Sequence, residues 1–402
     1  MPFDETFKTA ADKLLADLTG GDDLKTVVPG LVVTVTDANG DVYTGAAGVR
    51  KLGDTETITP DSTFCFFSTT KAITAVCALQ LVEEGLLDLD KPAAEYLPLI
   101  GTVKVFDKWD EAGKPVLREP KTAITPRMLL SHTAGFSYEF QEPQVYSRLH
   151  KEHGYPGIDS GLMTYITGYP LLFDPGSEWH YGINMDWMGL IIEAIRGMSL
   201  DAVMKKYVFA PLGMNSTSFQ MTPEMKARLV TVHRRSPETG LLSADPSYVL
   251  KQGDALETHN GGHGLYGTVG DYSKFIRMFL NDGLADSGAR VLKKETIDKA
   301  WEDQVEGIPM PDITPLDPNM SIPTPSDGSR NGWAISFMKL LKPAPSGRPA
   351  GSVNWSGLTN LFYFIDRENK LGVFYGAQVL PFGDPSTYFG FGELEALVYK
   401  HL

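Results

Sequence analysis

The chain has 402 residues, 42% hydrophobic and 21% charged, a composition that builds a buried core and excludes a disordered or fibrous protein. Its length admits one large domain or two intimately packed ones. A formal net charge of −14 argues against nucleic acid or an anionic membrane as partner, because a like-signed surface repels phosphates before any specific contact forms; it favours a small-molecule or protein substrate.

At the amino terminus, Met1-Pro2-Phe3-Asp4-Glu5-Thr6-Phe7 lacks the basic start and continuous apolar run of a signal peptide, and no later stretch reaches membrane-spanning length. Cys65 and Cys77 are the only cysteines, too few to staple a chain of this size, so a cytoplasmic protein with both thiols buried as small apolar groups is expected. Phe7, Leu14 and Leu18 recur at helical spacing before Gly20-Gly21. This predicts an amphipathic helix whose apolar stripe covers a sheet. Leu31-Val32-Val33-Thr34-Val35 and Val42-Tyr43-Thr44 flank Asn39-Gly40, a strong signal for an antiparallel hairpin.

Residues 90–290 read as mainly helical, with Thr125 capping a start that has Pro126 just inside, and an apolar run over 187–195. Residues 306–328 carry six prolines and little periodicity, the pattern of a long irregular loop bordering a binding site. Then 333–337, 353–365 and 371–379 are three strand-like runs, the last two joined around Asp366-Arg367-Glu368-Asn369. A closing helix carries Phe391, Leu394 and Val398 on one face. The expected architecture is α/β of the α+β kind: an antiparallel sheet from both termini (1–95 and 260–402) flanked by helices, with a helical region (96–259) inserted.

The most informative stretch is Phe66-Phe67-Ser68-Thr69-Thr70-Lys71, followed by an apolar run over 72–79 and a Gly85 stop. An apolar approach leading straight into a helix puts Ser68 at the first turn, with Lys71 three residues on over the same face. The free N–H groups and positive end of the helix then lie where an acyl carbonyl develops negative charge. An ammonium held there loses hydration, which lowers its pKa and lets neutral Lys71 take the serine proton. Ser-x-x-Lys alone also describes a plain helix cap followed by a solvated lysine, so its meaning depends on its company.

Downstream, the stretch 175–189 places Tyr181 on a tight turn before an apolar helix, where a phenol relays protons between Lys71, Ser68 and a leaving oxygen. The bland alternative is a capped core tyrosine. Trp355-Ser356-Gly357-Leu358 reads as a strand with a small pair at its centre, leaving an edge open beside a substrate and the Leu358 N–H free to complete an oxyanion hole. A plain strand with a bulge fits that segment as well.

Together these segments resemble the serine β-lactamase and penicillin-binding-protein superfamily, with its Ser-x-x-Lys, Tyr-x-Asn-like and Lys-Thr-Gly-like motifs, and more closely its family VIII carboxylesterases. Within that branch, three stretches are similar to the fungal lovastatin (monacolin J) acyltransferase and related statin-ester hydrolases. They are Trp179-x-Tyr181-Gly182-x-Asn184-x-Asp186-Trp187-x-Gly189, Phe106-Asp107 with Ala112-Gly113, and Leu130-Ser131-His132-Thr133-Ala134-Gly135-Phe136-Ser137-Tyr138. The resemblance runs from about residue 25 to the end and implies a β-lactamase/transpeptidase-like fold. It implies Ser68 as nucleophile, Lys71 and Tyr181 as bases, the Ser68 and Leu358 N–H groups as oxyanion donors, and Tyr138 as a pocket residue; Trp355, Gly357 and Asp186 join the substrate-site candidates. Two positions depart from the penicillin-recognising pattern: Ile183 replaces an asparagine and Trp355 replaces the strand lysine. Losing those polar groups weakens recognition of a β-lactam, while an indole suits a bulky hydrophobic ester.

His259 and His263 sit four apart, but Asn260-Gly261-Gly262 between them breaks any helix, so no metal site is expected. That glycine-rich stretch lets backbone pass close to the site. His132 is not expected to be a triad base, since no Gly-x-Ser-x-Gly elbow accompanies it. The reading is a cofactor-free serine carboxylesterase that hydrolyses bulky hydrophobic small-molecule esters, a statin-type polyketide ester being the candidate, through an acyl-enzyme on Ser68. Its rivals are an acyltransferase using a thioester donor or an acyl carrier protein, a peptidase or β-lactamase, and a non-catalytic scaffold.

Overall fold

Asp37 begins a tight turn between two strands: its Oδ1 accepts the backbone N–H groups of Asn39 and Gly40 at 2.6 and 3.1 Å. Gly40 sits at φ 155°, a conformation that disfavours side chains. The turn closes Gly30–Asp37 onto Asp41–Gly48 as an antiparallel pair. The computed structural model describes residues 3–253, 256–310, 316–321 and 331–402, and in it this hairpin forms one edge of a seven-stranded sheet. The order continues through Leu371–Gly376, Leu361–Asp366, Val353–Gly357, Phe337–Leu340 and Asn331–Ala334, every neighbour antiparallel. This is the expected α+β architecture, an antiparallel sheet built from both ends of the chain and flanked by helices.

Both faces of the sheet are covered. Leu31, Val33, Val35, Phe362, Phe364, Val373 and Tyr375 point into one core with the N-terminal helix Glu5–Thr19 and the closing helix Pro385–Lys400. Val32, Leu361, Tyr363, Ile365 and Phe374 face the opposite core. There the helix Val269–Leu280 packs Tyr272, Phe275 and Ile276 against them. The stripe buried by the first helix is Phe7, Ala11 and Leu15; Leu14 and Leu18 flank it, half-buried. Asp4 and Asp384 cap the two outer helices with side-chain acceptors.

Three strand expectations need correction. The run 333–337 is a hairpin whose bend falls at Ile335-Ser336, with Ser336 at φ 62°. The run 353–365 breaks at Leu358-Thr359-Asn360, with Asn360 at φ 61°. Val379–Leu380 leaves the sheet to pair in parallel with His233–Arg235. With both faces buried, apolar residues run through turns and strands alike, so periodicity does not mark the bends. The mainly helical middle is also more mixed than expected. Hairpins form at Val105–Trp109 with Pro115–Arg118 and at His233–Arg235 with Leu242–Ala244, and several helices, Pro126–Leu130 among them, span only five residues.

Of the loop expected over 306–328, residues 311–315 and 322–330 lie outside the described residues. Residues 316–321 are anchored where Leu316 N–H donates to Phe140 and Phe382 N–H donates to Met320. Cys65 and Cys77 are both buried and unpaired. Among the described residues, no helix is long and apolar enough to cross a membrane.

Candidate active site

The nucleophile segment is held from both sides before it turns. Phe64–Cys65 pairs with Tyr266–Gly267, and the Phe66 N–H donates to the Leu265 carbonyl at 2.8 Å. Phe67 adopts φ 44°, turning the chain sharply into a single 3₁₀ turn, Phe67–Thr69, that runs directly into the helix Thr70–Glu83. Ser68 therefore lies in the turn just ahead of the α-helix. That helix is buried from Thr70 through Leu81, as its apolar surface on all sides requires.

Lys71 is fully buried, and its Nζ lies 3.0 Å from Ser68 Oγ, 2.9 Å from the Tyr138 hydroxyl and 2.8 Å from the Gly262 carbonyl oxygen. Burial pushes the ammonium down from its usual range to about 7, with the Asp186 charge pulling the other way. Ser68 itself remains partly exposed. A lysine poised to be neutral beside a reachable hydroxyl is the arrangement that makes an alkoxide-like nucleophile.

Tyr181 follows the turn ahead of the helix Asn184–Arg196. Its ring lies 4.7 Å from Lys71 Nζ, and its hydroxyl accepts from the Trp355 indole N–H at 3.0 Å. Burial raises its pKa, while Ser68 and Trp355, both close enough to stabilise the phenolate, lower it. Trp333, Trp355 and Tyr138 surround the ring with tilted contacts, and the His132 ring lies 4.7 Å from it. The His132 Nδ1 accepts from Gly182 N–H and faces the Asn184 amide nitrogen at 2.9 Å. A neutral imidazole has one lone pair, and here it is occupied, so His132 has none to offer Ser68.

The remaining candidates are placed as follows. Tyr138 is buried and bonded to Lys71, a closer partnership than that of a pocket wall. Trp355 is 9% exposed and points its polar edge at Tyr181, so it is more than the apolar surface expected of it. Gly357 packs where a Cβ would meet the Phe66 carbonyl oxygen at 2.5 Å. That close approach brings the end of Val353–Gly357, and with it Leu358, against the nucleophile turn. On Val353–Gly357, strand Phe337–Leu340 pairs with Val353 and Asn354, and among the described residues no strand pairs with 355–357 on that side. Asp186 is fully buried behind Lys71, with Oδ1 accepting from Gly262 N–H at 3.0 Å. Sequence reasoning missed the Gly262 carbonyl as a partner of Lys71 and Trp333 as a wall of the Tyr181 cage. The glycine-rich run at 261–264 was the signal for the first; for Trp333 the sequence holds none.

A family model described as Beta-lactamase matches residues 4–387. The chain belongs to the beta-lactamase family. Lovastatin esterase of Penicillium rubens is 31% identical to it over 371 residues, which cover 88% of this chain and 90% of the relative. Monacolin J acid methylbutanoyltransferase of Aspergillus terreus is 30% identical over 373 residues, 89% of this chain and 88% of the relative. Among solved structures, a LovD6 mutant of simvastatin synthase from Aspergillus terreus matches with TM-score 0.82 and 27% identity, over 98% of this chain and 94% of that one. Within the beta-lactamase family pattern, the two departures now have places. Ile183 is buried at the N-cap of the helix Asn184–Arg196, and Trp355 offers a neutral N–H donor to Tyr181 in place of a lysine cation. Among the described residues, no group of three or more His, Cys, Asp or Glu is placed to hold a metal ion.

Proposed function

We propose that this beta-lactamase family member is a serine carboxylesterase that hydrolyses bulky hydrophobic esters through an acyl-enzyme on Ser68, with a statin-type polyketide ester as candidate substrate. The observation that carries the reading is the fully buried Lys71 amine 3.0 Å from a partly exposed Ser68 hydroxyl. Ser68 Oγ attacks the ester carbonyl as its proton passes to Lys71. The Ser68 and Leu358 N–H groups stabilise the oxyanion, and the alcohol leaves with a proton from Tyr181. Water then attacks the acyl-enzyme by the reverse path. The indole of Trp355, which keeps some exposure beside Tyr181, favours an apolar substrate. On this reading a sheet subdomain of 1–95 and 260–402 supplies Ser68, Lys71 and Trp355, and the inserted region 96–259 supplies Tyr138 and Tyr181.

A second reading has a specific observation behind it: other relatives of similar identity are named as acyltransferases. The acyl chain then comes from a thioester donor, on a carrier protein or a small thiol, and an alcohol replaces water. Assay of aryl esters of increasing acyl length and of lovastatin, alongside a butyryl thioester with an alcohol acceptor in water, separates the two. Ester hydrolysis that dominates supports the esterase; efficient transfer with little hydrolysis rejects it in favour of the transferase. Absence of Ser68 labelling by a fluorophosphonate rejects both.

A further inference from the structure

The three partners of Lys71 are not equivalent. The Gly262 carbonyl, 2.8 Å away, can only accept, whereas the hydroxyls of Ser68 and Tyr138 can donate or accept. A neutral amine has two N–H donors and one lone pair. One N–H is committed to Gly262, so the position of that carbonyl decides where the other two corners of the nitrogen point, the one facing Ser68 included. Gly262 is itself fixed by Asp186, whose Oδ1 accepts its N–H at 3.0 Å. The approach leaves no room for a side chain: a Cβ on Gly262 would meet Asp186 Oδ2 at 2.6 Å.

Asp186 is expensive to keep there. It is fully buried, Oδ2 has no hydrogen-bond partner among the described residues, and His263 Nδ1, equally unpartnered, lies 3.6 Å from Oδ1. A buried carboxylate with an unsatisfied oxygen destabilises a fold, and packing alone is better served by an amide or an apolar residue.

We propose that Asp186 is a positioning residue for Lys71: through the Gly262 backbone it aims the amine at Ser68, with its own buried carboxylate as the counter-charge. This deepens the esterase or acyltransferase reading above and rests on it. The phenols and imidazoles facing the pair are buried and shifted away from neutrality. The phenols of Tyr138, Tyr165 and Tyr181 are pushed up. His132 and His263 are pushed down. Glu139, next to Tyr138, gives one oxygen to the Ile158 N–H and is pushed up by burial. Burial brings Lys71 down to about 7 and Asp186 up to about 6, so both respond in the neutral range.

The test compares wild type, Asp186→Asn and Asp186→Leu as full-length proteins, reading the pH profile of kcat/KM with p-nitrophenyl butyrate and the rate of fluorophosphonate labelling of Ser68. Asparagine keeps an oxygen for Gly262 N–H and removes the charge. Its acid limb moves to lower pH by roughly one unit, because a less favoured ammonium loses its proton earlier, while the plateau falls less than about tenfold. Leucine removes the acceptor and lowers kcat about a hundredfold with KM nearly unchanged. If Asp186→Leu does not fold, the asparagine profile alone decides. A profile for Asp186→Asn that superposes on wild type overturns the proposal. Wild type that is neither labelled nor active overturns the Ser68 reading, and this inference falls with it.

Discussion

The Trp355 indole N–H donates to the Tyr181 hydroxyl at 3.0 Å, joining residues 174 positions apart. The donor occupies one lone pair of the phenol oxygen and favours its anionic form, so the indole helps set both the orientation and the acidity of the proton relay. Trp355→Phe keeps an aromatic wall and removes the donor. We expect kcat to fall about tenfold with KM changed less than threefold, the size of one lost hydrogen bond to a developing charge. An unchanged kcat in steady-state hydrolysis of an aryl butyrate shows that the indole is only a wall.

Ser68→Ala removes the group that forms the acyl-enzyme. Hydrolysis drops by at least about a thousandfold and fluorophosphonate labelling disappears. Because Ser68 is partly exposed and the change deletes one oxygen, the melting temperature stays within a few degrees, which separates lost chemistry from lost fold. Labelling that persists in the variant assigns the nucleophile elsewhere.

The base must be neutral to accept a proton, and burial brings Lys71 down to about 7. Activity therefore rises with pH through the neutral range and levels off above it, instead of waiting for the alkaline range of a solvated lysine. Lys71→Arg keeps the positive charge but cannot deprotonate in a protein, so it loses at least about a thousandfold at every accessible pH. An acid limb lying near pH 10, or an active arginine variant, removes Lys71 from the role of base.

Stability has a separate anchor. Arg235 donates to the fully buried Asp384 and to the Leu24 and Val27 carbonyls, tying the strand His233–Arg235 to the cap of the closing helix. Asp384→Ala leaves the guanidinium buried without its counter-charge and removes the helix cap, which destabilises by about 3–5 kcal/mol. Urea unfolding followed by circular dichroism measures it, and a loss under about 1 kcal/mol shows that solvent reaches Arg235.

What was legible in the sequence was local. Asn39-Gly40 names its turn because a short Asx acceptor and a glycine suffice to build it. Thr125 and Pro126 name a helix start because the cap reaches only to Met128 N–H. The bends at Ser336 and Asn360 were not legible, since burial of both sheet faces erased the polar alternation that marks a turn elsewhere. The surroundings of Asp186 were not legible either: its carboxylate is buried against the Gly262 N–H, 76 positions along the chain, and only packing brings the two together.

The spacing of Ser68 and Lys71 was determined by the sequence, because two residues three apart on a helical turn share a face whatever surrounds them. Whether that lysine is an exposed cation or a buried amine was decided by tertiary structure alone. The Gly262 carbonyl is 191 residues away in the chain and the Tyr138 hydroxyl 67. Desolvation depends on everything packed around Nζ, and those atoms come from segments that no local pattern connects.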